Sequence, residues 1–175
     1  MPTLHTSPHR TAGDPTHRDR PNVADGRDDA ELRRHALAER LLSDVIGLEW
    51  SKVHREAERW EHVISGEVEE RIVELLSDPG TCPHGNPIPF SKNQPDQSDA
   101  VALADAPLGL VEVIRIAEEL EGDEAAMVQL EQCGFVPGRL AEVVGKRDGR
   151  VEIVGAVADA VLPPHVAAQT YVEPR

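Results

Sequence analysis

Apolar positions along the chain first recur at helical spacing and then, past residue 108, alternate as in strands. From Asp29, with Asp28 or Asp29 as N-cap, ELRRHALAERLLSDVIG sets Leu32, Ala38, Leu42, Val45 and Ile46 on one face, and Gly47 supplies a left-handed stop. The spacing predicts helices over 30–46, 50–64 and 66–77, the last halted by Asp78-Pro79-Gly80. Only Leu48 to Trp50 joins the first two, which must therefore lie side by side. Further on, LVEVIRI reads as a strand and GDEAAMVQLEQCG as a helix closed by Gly134. RLAEVVGKRDGRVEIVG reads as a hairpin turning at Asp148-Gly149, and AVLPPHVAAQTYVEP as a short helix or turn with a last strand. The fold class predicted is α+β: an all-α helical domain followed by a small β-barrel. Its divisions are a disordered segment at 1–28, the helical domain at 29–78, a Pro-rich linker at 79–107 and the barrel at 108–175.

Composition narrows the function classes. Hydrophobic residues make up 39% of the chain but aromatics only 3%, so the core must rest on Leu, Val, Ile and Ala. A formal net charge of −14 opposes non-specific nucleic-acid binding, which needs Lys and Arg against phosphates. Two distant cysteines, Cys82 and Cys133, form neither a disulfide framework nor a zinc ribbon. With no long apolar run and no apolar leader, the expectation is a cytoplasmic protein without a membrane partner. Apolar residues on the second and third helices, including Trp60, Ile64, Ile72 and Leu76, exceed what three short helices can cover, which predicts a homodimer.

Candidate chemistry lies in SKVHREAERWEHVIS, residues 51–65. On a helical wheel with His54 at zero, Glu58, Glu61 and His62 fall at roughly 40°, −20° and 80°. Val53, Ala57, Trp60 and Ile64 fall between roughly −60° and −120°, so the His/Glu sector borders the core. Unpaired charge there is costly, and two imidazoles with two carboxylates suit a divalent cation. His35 and Glu39 interrupt the apolar face of the first helix one turn apart, either as an internal His–Glu hydrogen bond or as further ligands beside His54. His5, His9 and His17 form a loose tract whose spacing fixes no geometry.

The motifs HxLAERLL, VHxEAxRWEH and GNPIP resemble the metal-binding and dimerisation domain of the iron-dependent repressors, the diphtheria-toxin-repressor family, over about Glu31 to Pro89. The resemblance implies two cation sites: an ancillary one from His35, Glu39 and His54, and a primary one from Glu58, Glu61 and His62. Glu58 stands where iron-responsive members place cysteine and manganese-responsive members glutamate. A carboxylate is the harder ligand, so Mn(II) is expected first and Fe(II) close behind. The pattern GFVPG-x8-KRDGRVEI resembles the FeoA-like, SH3-like domain that follows in many members. In some of them this barrel lends a carboxylate and an amide to the ancillary site, which makes Asp123, Glu124 and Gln129 additional candidates.

Family members also carry a winged helix ahead of these motifs, and no DNA-reading element is legible in this sequence. Two functions follow as expectations. One is a metal-responsive transcriptional regulator reduced to its sensing and dimerisation parts, reaching DNA through a partner that carries a winged helix. The other is a stand-alone dimeric metal-binding or protein-interaction module. An enzyme is not expected, since no nucleophile or oxyanion donor accompanies the cluster.

Overall fold

The computed structural model describes residues 28–175, so the predicted disorder at 1–28 and the histidine tract at 5, 9 and 17 lie outside it, save Asp28. Helix α1 spans Asp29–Arg40, and its N-cap is Asp28, whose carboxylate accepts from the Glu31 amide. Ala36, Leu37 and Ala38 are buried along its inner face. At Leu41 the helix widens into a π-helical turn that runs to Ile46 and ends at Gly47, φ 79°, as the glycine stop requires. A 3-10 turn, Trp50–Lys52, leads into α2, Val53–Trp60. This second helix ends four residues before the predicted limit, in a turn over 61–63. Helix α3, Gly66–Leu76, is capped by the Ser65 hydroxyl, which accepts from the Val68 amide.

The stretch read as a linker is packed. Cys82, His84, Ile88, Leu103 and Ala106 within it are all buried. Residues 81–87 form a tight turn, with the Cys82 amide donating to the Asn86 carbonyl (2.8 Å) and a β-bridge between Thr81 and Pro87. Two arginines seven residues apart on α1 hold its ends: Arg40 Nε donates to the Thr81 carbonyl (2.7 Å) and Arg33 Nη1 to the Pro89 carbonyl (2.6 Å). Gly85, φ 90°, is needed at the turn's apex, because a Cβ there would meet the Ile114 carbonyl oxygen at 2.1 Å.

The barrel is one antiparallel sheet in the order β1-β6-β2-β3-β4-β5. Its strands are β1 (Val101–Ala102), β2 (Gly109–Ile116), β3 (Leu140–Arg147), β4 (Arg150–Val154), β5 (Asp159–Leu162) and β6 (Thr170–Pro174). Asp148 and Gly149 both adopt positive φ, the two-residue turn expected between β3 and β4. Helices α4 (Glu118–Glu121), α5 (Glu124–Cys133) and α6 (Pro164–Gln169) complete the domain. Strands β3 and β4 alternate buried and exposed, sending Val143, Val151 and Ile153 inward to meet Met127, Leu130 and Phe135. Four-residue α4 directly follows β2, which brings its last residue, Glu121, to the end of the barrel that faces α2.

Candidate metal centre

The helices, the 81–87 turn and the barrel meet around a buried knot of imidazoles and carboxylates. His35 and Glu39 come from α1, His54 from α2, His84 from the turn and Glu121 from α4. His54 Nδ1 lies 3.0 Å from His35 Nε2, 3.2 Å from Glu39 Oε1 and 2.8 Å from Glu121 Oε2. Glu39 Oε1 is also 3.2 Å from His35 Nε2 and 3.3 Å from His84 Nδ1, while Glu121 Oε2 is 3.1 Å from His84 Nδ1. The Glu39 and Glu121 side chains are each 1% exposed, and the ion pairs drawn to them all come from histidines.

Each imidazole turns one nitrogen inward, and those of His35 and His84 are fixed from behind by hydrogen bonds. His35 Nδ1 donates to Glu61 Oε2 at 2.6 Å, leaving Nε2 as the inward atom. His84 Nε2 donates to the Trp50 carbonyl (3.2 Å) and its ring meets the Trp50 indole edge-on, so Nδ1 faces the carboxylates. His54 Nε2 faces Glu58 at 3.8 Å. Such backing fixes tautomer and ring plane in imidazoles that bind metals.

The electrostatics of the knot are those of a trapped charge cluster. Burial would raise the Glu39 carboxyl, but His84, His35 and His54 outweigh it and hold it well below 4.5. Burial would lower His54, yet Glu121 and Glu39 raise it from 6.5 to about 9. His84 is likewise held well above 6.5 against its burial by Glu121 and Glu39. Burial, with Glu39 and Glu121 nearby, pushes the Cys82 thiol up to about 12.

Of the residues singled out in the sequence, His35, Glu39 and His54 converge here. Glu61 is buried behind His35, beyond the end of α2, where the helical wheel no longer applies. His62 points outward, its Nε2 3.5 Å from Glu61 Oε1 and its Nδ1 3.7 Å from Glu31 Oε1. Glu58 is likewise exposed. The barrel candidates have other partners. Asp123 caps α5 through the Ala126 amide, Glu124 pairs with Arg55, and Gln129 donates to the Val161 carbonyl. The barrel carboxylate that enters the knot is Glu121, two residues before the expected set. Sequence reasoning also missed Cys82 and His84. Cys-Pro-His within a turn-forming run was the available signal, whereas the acidic run Glu118, Glu119, Glu121 offered no means of choice.

The barrel is latched to the helix that carries His54. Glu131 on α5 accepts from the Trp50 amide (3.1 Å) and the Ser51 hydroxyl (2.6 Å), capping the start of that helix from another domain. Glu131→Ala is expected to lower stability by about 1–2 kcal/mol, the usual effect of losing a helix cap, measurable by urea unfolding. A change within experimental error would show that the latch carries no load.

The family described as "Iron dependent repressor, metal binding and dimerisation domain" matches residues 26–90. Over these residues the chain carries the metal-binding and dimerisation domain of the iron-dependent repressor family. It is 42% identical over 149 residues to the iron-dependent repressor IdeR of Mycobacterium tuberculosis, covering 79% of this chain and 65% of that protein. It is 40% identical over 132 residues to the diphtheria toxin repressor of Corynebacterium diphtheriae, covering 71% of this chain and 58% of that one. The chain thus spans somewhat less than two thirds of the length of these curated relatives. Among solved structures, a manganese-dependent transcriptional repressor superposes with a TM-score of 0.72 at 29% identity, covering 84% of this chain and 81% of that one. IdeR of T. acidophilum superposes with a TM-score of 0.70 at 26% identity, covering 84% and 67%. The helical segment followed by an antiparallel SH3-like sheet is the architecture shared with these repressors.

Proposed function

We propose that the chain is the metal-sensing and dimerising part of a Mn(II)- or Fe(II)-responsive transcriptional regulator, and that His35, Glu39, His54 and Glu121 hold the sensed cation. The observation that carries this reading is the pair of fully buried carboxylates, Glu39 and Glu121, whose ion partners are imidazoles. Those imidazoles become neutral ligands once a divalent ion supplies the compensating charge. The donor set fits such an ion: two nitrogens and two oxygens suit Mn(II) or Fe(II). Because Glu121 belongs to the barrel and the others to the helices, a bound cation cross-links the two domains. Glu121→Ala is expected to weaken Mn(II) binding by at least about 10–100-fold, the range seen when a group that merely supports a metal ligand is lost, as read by calorimetric titration. Unchanged affinity would remove Glu121 from the site.

The outer set, Glu58, Glu61 and His62, is assigned to a weaker cation site, since His62 and Glu58 stand in solvent. Homodimerisation is assigned to the apolar surface of α3 and the turn before it. Val63 is 78% exposed, and Val68 and Leu75, seven residues apart and so on one face of α3, are 47% and 61% exposed. Ile72, expected on that face, instead fills the core against α1. Leu75→Glu is expected to weaken the dimer by roughly 30-fold or more, the effect of about 2 kcal/mol at an interface hot spot. Sedimentation would show it, with helicity retained; an unshifted dimer would place the interface elsewhere.

With a net charge of −14, direct DNA reading by this surface is electrostatically disfavoured. The DNA contact of such a regulator is assigned to a winged helix outside the described residues. Among the described residues no helix is long and apolar enough to cross a membrane.

A further inference from the structure

Six donors surround the knot, and they form two groups rather than one. His35, Glu39, His54 and Glu121 lie with their ligand atoms within 4.8 Å of one another, and so do Glu39, Cys82 and His84. A first-row ion with bonds of about 2.0–2.3 Å separates opposite donors by at most roughly 4.6 Å, so one ion serves one compact group. We propose that the knot is a two-cation centre bridged by Glu39, in which Cys82 and His84 are the terminal ligands of a second, more thiophilic divalent ion. The inference rests on the assignment of the first ion made above.

Three observations carry it. The first is an orphaned atom. His84 is fully buried and its Nδ1 has no hydrogen-bond partner, although Glu121 and Glu39 oxygens lie 3.1 and 3.3 Å away. Distances are short but the directions are wrong for a hydrogen bond, as they are when atoms face a common point. The second is the position of the carboxylates. The same oxygen of Glu39 faces His54 at 3.2 Å and His84 at 3.3 Å, and the same oxygen of Glu121 faces them at 2.8 and 3.1 Å. Both acids stand between the two sets of terminal ligands, as bridging ligands do.

The third is charge. One dication is neutralised by Glu39 and Glu121. A second needs two more negative charges: its binding creates one by displacing the proton of the buried Cys82 thiol, and Glu61 lies buried behind His35. The balanced step is displacement of the Cys82 S–H proton to solvent as the sulfur–metal bond forms. Thiolate and imidazole together select a softer ion than the two imidazoles of the first position, with Co(II), Zn(II) and Fe(II) ahead of Mn(II).

The test uses the full chain carrying His62→Ala, which removes the exposed outer set from the count, loaded with Co(II) and desalted. Two Co(II) per protomer and a near-ultraviolet thiolate-to-cobalt band are expected. Cys82→Ser and His84→Ala should each lose one equivalent and the band; His35→Ala with His54→Ala should lose the other equivalent and keep the band. Loaded with Mn(II) in excess, the centre should give the magnetically coupled signal of two ions about 3.5–4 Å apart, a readout that needs no ligand substitution. One equivalent unaffected by Cys82→Ser and His84→Ala would overturn the second ion and leave the first assignment standing. One equivalent lost to substitutions in either set would mean a single ion, and would also overturn the proposal. Binding indifferent to both sets of substitutions would overturn this proposal and the assignment on which it rests.

Discussion

Saturating Mn(II) is expected to raise the melting temperature of the chain by about 8–16 °C, and the double substitution His35→Ala, His54→Ala to remove most of the rise. The unfolded chain does not hold these donors together, so binding acts on the folded state alone. At roughly 1,000 times Kd it contributes about 4 kcal/mol, and each kcal/mol moves the midpoint of a domain this size by about 2–4 °C. The effect is large because the ligands come from α1, α2 and α4, so the ion opposes separation of helices and barrel as well as unfolding of either. Comparing each variant with and without metal removes any change the substitutions make to the metal-free protein. A metal-induced rise that survives undiminished in the double variant would refute the assignment.

Metal-free protein and metal-loaded protein are expected to respond to pH in opposite senses. Without metal, His54 is raised from 6.5 to about 9 by Glu121 and Glu39 against its burial. A group raised on folding stabilises fully below its unfolded value and loses that contribution as pH climbs through its folded one. Metal-free protein should therefore lose on the order of 3 kcal/mol between pH 6 and pH 9, at about 1.4 kcal/mol per tenfold change in proton affinity. His84 is displaced in the same direction and adds to the loss. Glu39, held below 4.5 by the same imidazoles, acts at the other end: its contribution is present above 4.5 and fades in acid. The metal-free optimum from these groups thus lies between about 4.5 and 6.5. A cation must displace the imidazole protons, so its affinity rises over the same interval in which the metal-free protein weakens. Urea unfolding at pH 6 and pH 9, with chelator and with Mn(II), measures both trends. Equal metal-free stability at the two pH values would show that His54 carries no charge in the folded chain.

Local chemistry made much of the fold legible in advance. Gly47 and Gly134 end their helices in the left-handed conformation expected of glycine, and Asp148-Gly149 makes the hairpin turn. Strand alternation over β3 and β4 told the inward face from the outward one. Each of these depends on a few consecutive residues. The widening of α1 into a π-helical turn and the early end of α2 were not legible, since neither Leu41–Ile46 nor Glu61–Val63 contains a breaker. Packing against neighbouring segments decides both.

The centre divides in the same way. His35 and Glu39 are one turn apart on a helix, and His54 follows through a short join, so periodicity and loop length alone brought three ligands together. Glu121 and His84 are separated from them by long stretches of chain and have no periodicity in common with them. Their arrival depends on the Arg33 and Arg40 grip on the 81–89 segment, on the Asn86 amide that bonds both the Ile116 carbonyl and Glu121, and on the Glu131 latch. Sequence by itself determined which helices carry ligands, because a helix repeats its geometry every few residues. Only the tertiary structure decided which barrel carboxylate completes the cluster, because that choice is made by hydrogen bonds between residues far apart in the chain, where no local spacing rule reaches.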